Sequence, residues 1–90
     1  MSVRRGVTAQ GEFLPGIVMP PAIHGLLRRR LAEVECCDTA VNCLIAQARA
    51  ESLVEALEVL QAIPVDAIER LYLLIESTTK TRLAELGSQQ

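Results

Sequence analysis

From Pro21 to Gly87 the apolar residues recur at steps of three and four, the period of a helix surface rather than of a strand. A chain written this way needs several helices that cover one another's apolar stripes. The first is expected to start at Pro21, because proline suits a first helical turn. Its stripe runs Ile23, Leu27, Leu31, Val34, Val41, Ile45 and Ala48, with Cys37 filling the gap. Leu27, Val34, Val41 and Ala48 stand seven apart, as in a coiled-coil seam. Asp38-Thr39 offers a cap midway, so a kink or break there is the alternative. The unbroken stripe favours one helix to about Ala50. Gly25 weakens its first turn by about 1 kcal/mol relative to alanine.

A second helix is expected from Ser52-Leu53-Val54-Glu55, which fits a capping box, with Leu53, Leu57 and Leu60 on one face. Pro64 ends it. A third follows from a second box, Asp66-Ala67-Ile68-Glu69, with Asp66 as the cap. Ile68, Leu71, Tyr72, Ile75, Leu83 and Leu86 line its inner side, and Gly87 supplies a stop. Thr78, Thr79 and Lys80 interrupt that stripe, so its last turns are expected to be less buried. Helices joined by such short turns pack antiparallel.

Residues 1–20 read differently. Gly6, Gly11, Pro15 and Gly16 break every period, and Pro20-Pro21 closes the segment. The reading is an irregular apolar arm over residues 1–20 and a single helical domain over residues 21–90. Phe13, Leu14, Ile17, Val18 and Met19 give the arm an apolar stretch. Such a stretch folds back over the helices, docks, extended, onto a partner, or stays a disordered tail.

Composition narrows the class. Half of the 90 residues are apolar, too many for a disordered tail, yet only 2% are aromatic. Thirteen Leu and eleven Ala make up much of the mass, and both are strong helix formers. With Phe13 and Tyr72 alone, the chain lacks the exposed rings on which single-stranded nucleic acids stack. The fold class is therefore all-α: a helical hairpin or three-helix bundle behind an irregular N-terminal arm. So short a chain is expected to complete its core by homodimerisation.

Candidate chemistry is sparse. Cys36, Cys37 and Cys43 have the spacing C-C-x₅-C, without the C-x₂₋₄-C pairs of a zinc site, and His24 is the only histidine. The thiols read as small apolar residues in a helix interface, with Cys36 and Cys43 sharing a face and Cys37 pointing elsewhere. His24 reads as a solvated or capping side chain, with a pH sensor as the functional alternative. Glu51, Glu55 and Glu58 share one helix face, either simply solvated or docking a basic partner. No phosphate loop, catalytic triad or dinucleotide fingerprint is written in the chain. The expectation is no catalysis, no metal and no cofactor.

Charge is polarised. Five arginines against Glu12 give residues 1–30 a net +4, and four basic against ten acidic residues give residues 31–90 a net −6. Arg28-Arg29-Arg30 is the densest basic feature, but consecutive helical residues point about 100° apart and form no flat patch. Such a run meets an acidic surface on a protein or on a second copy, or else is solvated. Nucleic acid is the alternative ligand, disfavoured by the net acidic charge. The residues expected to meet a partner are Arg28, Arg29, Arg30, Phe13, Ile17 and Tyr72. No apolar run approaches the ~20 residues of a membrane span. No export signal is legible around Arg4-Arg5, so the odd cysteine count fits reduced thiols in a cytoplasm.

The expected function is a small cytoplasmic protein–protein interaction module, a regulator, adaptor or inhibitor of a larger protein. A nucleic-acid-binding regulator using the Arg28–Arg30 corner is the alternative. At residue level, Leu57→Asp is expected to unfold or dissociate the domain, because Leu57 lies on the inner stripe. An unchanged melting curve would place that face elsewhere.

Overall fold

The structure, a computed structural model, describes residues 11–88. It is a small all-α fold of three helices packed against one another: α1 (Pro21–Cys36), α2 (Ala40–Val59) and α3 (Val65–Ser88). A two-stranded antiparallel hairpin, β1 (Glu12–Leu14) and β2 (Ile17–Val18), precedes them. Arg4 and Arg5 lie outside the described residues.

The hairpin corrects the expectation of an irregular arm between residues 12 and 18. Leu14 pairs with Ile17 across Pro15-Gly16. Gly16 has φ +85°, the value demanded at the third position of a type II turn. The glycine and proline that break the period are the turn itself. The register shifts by one residue between Glu12 and Leu14, interrupting the ladder at Phe13. Such an irregularity re-aims a side chain, and Phe13 is 0% exposed. Glu12 steadies the turn by accepting a hydrogen bond from the Gly16 amide at 3.0 Å.

The first helix stops at Cys36 instead of running to Ala50. Cys37 and Thr39 are extended, and Thr39 caps α2 by accepting the Asn42 amide on Oγ1 at 3.0 Å. Asp38 adds a hydrogen bond from the Asn42 side chain at 3.1 Å. Three non-helical residues change the phase of everything that follows. Leu27 and Val34 of the expected seam are buried, whereas Val41 and Ala48 face outward, as does Ile45. The inner stripe of α2 is Cys43, Ala46, Ala50, Val54 and Leu57, again in steps of three and four.

No helix begins at Ser52, which sits exposed in the middle of α2. A capping box acts only where the preceding backbone leaves the helix. Residues 40–51 hold four alanines and neither glycine nor proline, so nothing stops the helix there. Leu57, only 2% exposed, lies in the core as expected, but Leu60 falls in the turn and is exposed. Gln61, at φ +54°, takes the left-handed position usually held by glycine, and the Ala62 amide closes back on the Leu57 carbonyl at 2.9 Å.

In α3, Asp66 is in the first turn rather than at the cap, where its carboxylate faces the positive end of the helix. The Pro64 carbonyl accepts the Ile68 amide at 3.1 Å. Gly87 does not stop α3, which continues through Ser88. Thr79 itself is buried, because its hydroxyl donates to the Ile75 carbonyl at 2.8 Å and leaves a methyl to pack, whereas beyond it Leu83 and Leu86 are only half-buried, as expected of the last turns.

Two clusters form the interior. The larger joins Phe13, Ile17 and Met19 of the arm to Leu27 and Leu31, to Ala50, Val54 and Leu57, and to Ala67, Ile68, Leu71 and Ile75. The smaller joins Val34, Cys37, Cys43 and Ala46, with Leu83 and Leu86 against them. The start of α2 thus meets the ends of α1 and α3, an antiparallel order. Arg82 ties the α1–α2 corner to α3 by donating from Nε to the Cys37 carbonyl at 2.8 Å.

Thr39→Ala is expected to cost about 1 kcal/mol, the value of a lost N-cap, whereas Ser52→Ala changes stability by less than about 0.5 kcal/mol. Urea unfolding of the two variants separates a helix start at Ala40 from one at Ser52.

Candidate functional site

Three arginines stand in sequence on α1, and the fold gives each a different task. Arg28 places its guanidinium carbon 4.2 Å from the Phe13 ring centre and donates from Nη2 to the Phe13 carbonyl at 2.8 Å. It therefore clamps β1 onto α1 through both charge–ring attraction and a charged hydrogen bond. His24 lies edge-on to the same ring, with centroids 5.1 Å apart. Arg30 turns the other way and pairs with Glu33 at 3.1 Å, while Arg49 of α2 approaches the other Glu33 oxygen at 3.7 Å. Arg29 is exposed and alone of the three has no partner among the described residues.

Phe13 and Ile17 are interior residues, so the arm's apolar side chains are spent inside the molecule rather than offered to a partner. Val18, on the outer side of the hairpin, remains exposed. A second arginine, Arg70 of α3, donates to the Pro15 carbonyl at 2.7 Å and holds the hairpin tip. Nothing in the local sequence marked Arg70 or Arg82 for these roles, because each acts over 45 or more positions of chain.

Tyr72 is half-buried and reaches Glu58 with its hydroxyl at a long 3.4 Å. Partial burial, then Glu58, Glu55 and the more distant Glu51, push its phenol above the ordinary range. The three glutamates expected on one face of α2 are thus confirmed as a single acidic field beside an aromatic ring. That field adjoins the α2–α3 turn, where Val59, Leu60 and Val65 are 73–75% exposed. Asp66 and Glu69 are exposed on the first turns of α3.

The cysteines divide differently from the expectation. Cys36 is exposed, whereas Cys37 and Cys43 come together in the smaller cluster, because the helix ends between them. The Cys37 thiol donates to the Val34 carbonyl at 3.1 Å. Burial, and then the neighbouring Cys37, push the Cys43 thiol up to about 11. At neutral pH such a thiol is a packing group, not a nucleophile. Among the described residues, no three His, Cys, Asp or Glu side chains are grouped to hold a metal ion.

Open clefts are shallow. One, of about 460 Å³, runs between the hairpin and α3 over Leu14, Leu73 and Leu74, with Arg70, Glu76 and Lys80 at its edges. Another, of about 440 Å³, lies between α1 and α2 and holds Glu33, Asp38, Asn42, Ile45 and Arg49. No helix among the described residues is long and apolar enough to cross a membrane.

Comparison with protein-family models, with curated proteins and with solved structures finds no match to this chain.

Arg28→Ala is expected to lower the unfolding free energy by about 1–2 kcal/mol, from the charged hydrogen bond and the ring contact. Arg29→Ala is expected to stay within about 0.5 kcal/mol. Equal effects in denaturant unfolding would show that Arg28 does not hold the hairpin.

Proposed function

We propose that the chain is a small, non-enzymatic protein–protein interaction module that acts as a regulator, adaptor or inhibitor of a larger protein. The observation that carries this reading is the α2–α3 end of the molecule. There three large apolar side chains, Val59, Leu60 and Val65, are exposed, and the exposed Glu55, Glu58, Asp66 and Glu69 stand on either side of them in the chain. Apolar residues gathered at one place and rimmed by charge are the usual form of a protein-binding surface. Tyr72 belongs to the residue types that anchor such contacts. The sign of the rim fits a partner whose binding surface is basic and apolar. Three free thiols suit a reducing, cytoplasmic setting.

The nucleic-acid alternative draws less support. Arg28 is engaged by Phe13 and Arg30 by Glu33, which leaves Arg29 too isolated to neutralise several phosphates. The test is affinity capture from the source cells with the full chain as bait, beside a Leu60→Asp/Val65→Asp variant that leaves the buried stripes intact. A protein held at low salt, released at high salt and absent from the variant's capture is expected. No protein above background, or equal retention by the variant, would overturn the reading.

A further inference from the structure

The α2 helix is apolar on two opposite sides. Its inner stripe meets α1 and α3, while Val41, Leu44 and Ile45, 52–67% exposed, and Ala48 form an outer stripe that nothing in the fold covers. From Thr39 to Ala48 the chain carries no charged residue. A helix that is apolar all round is one buried all round. Polar side chains at these outward positions would serve solubility better, so the stripe has a different use.

We infer that the outer face of α2 is the seam of a homodimer, in which α2 of a second copy crosses it antiparallel about a two-fold axis near Ile45. The charge pattern selects this occupant. Asn42, Ile45 and Arg49 line one cleft and so lie on one side of α2, the side toward α1, with Asp38 in the same cleft just before the helix and Arg49 3.7 Å from Glu33 of its own copy. In an antiparallel pair related by a two-fold axis, like sides of the two helices meet. With Ile45 facing its own copy, Arg49 falls opposite Val41 of the second copy. Val41 adjoins Asn42, whose side chain holds the second copy's Asp38 carboxylate at 3.1 Å, so the arginine approaches an acidic group there. The same register sets Glu51 beside Thr39 of the second copy, at the start of its α2. That first turn carries no acidic residue of its own and has a positive helix end to offer one. Each contact occurs twice, and Glu55 and Glu58 of the two copies lie beyond the overlap, at opposite ends of the pair. This face is separate from the acidic and apolar end assigned above to a larger partner, so the two readings stand or fall independently.

The test is sedimentation equilibrium of the full chain, with circular dichroism as the check on folding. Wild type is expected at twice its 9.8 kDa mass. Ile45→Glu, which changes an exposed side chain, is expected to keep the helical signal and raise the dissociation constant by about 30-fold or more, the loss of a central interface residue. Arg49→Glu and Asp38→Arg are each expected to weaken the dimer, and the double variant to restore it. A wild-type monomer at all accessible concentrations would overturn the proposal. So would a dimer indifferent to Ile45→Glu, or a failure of the charge-reversed pair to recover affinity.

Discussion

The fold depends on one aromatic ring placed under one guanidinium. Three helices lined mainly by leucine, valine and alanine share one core cluster. Phe13 enters it from the hairpin, fully buried, with Arg28 over its face and His24 at its edge. Because Arg28 also holds the Phe13 carbonyl, the contact orders backbone as well as side chain. Arg70 repeats the device at the hairpin tip through Pro15. A segment without regular periodicity is thereby made part of the core. At the far end Arg82 ties α3 to the α1–α2 corner in the same manner, through the carbonyl of Cys37.

The class of fold was legible because a period of 3.6 survives local errors. Leu27, Val34, Leu57, Leu71 and Ile75 are all buried where the stripes put them. The helix boundaries were harder to read. Thr39 and Ser52 are both cap-type residues, and sequence alone cannot tell a cap from a helical serine. The difference lies in the backbone before them: extended at Cys37, helical at Glu51. Placing the break at the wrong one turned Val41, Ile45 and Ala48 inward when they face out. The Pro15-Gly16 turn was available as a motif, but its apolar flanks are too short to display strand alternation.

The candidate surface was legible in its charges and not in its geometry. Glu51, Glu55 and Glu58 share a face because of helical spacing alone, which sequence reports directly. The partners of Arg28 and Arg30 depend on tertiary packing for the first and on side-chain direction for the second, so three adjacent cations could not be sorted in advance. The apolar end at Val59, Leu60 and Val65 was hidden by the assumption that Leu60 lies on the Leu53–Leu57 face. A left-handed Gln61 ends the helix just after Leu60, and the turn carries these side chains into solvent.

The most direct test of this account is the unfolding free energy of Phe13→Ala by urea titration against wild type. If the ring closes the core, the loss is about 3–5 kcal/mol, with a single cooperative transition in which the helices melt together. A change below about 0.5 kcal/mol, the size of an ordinary surface substitution, would mean that the three helices close their core without the hairpin.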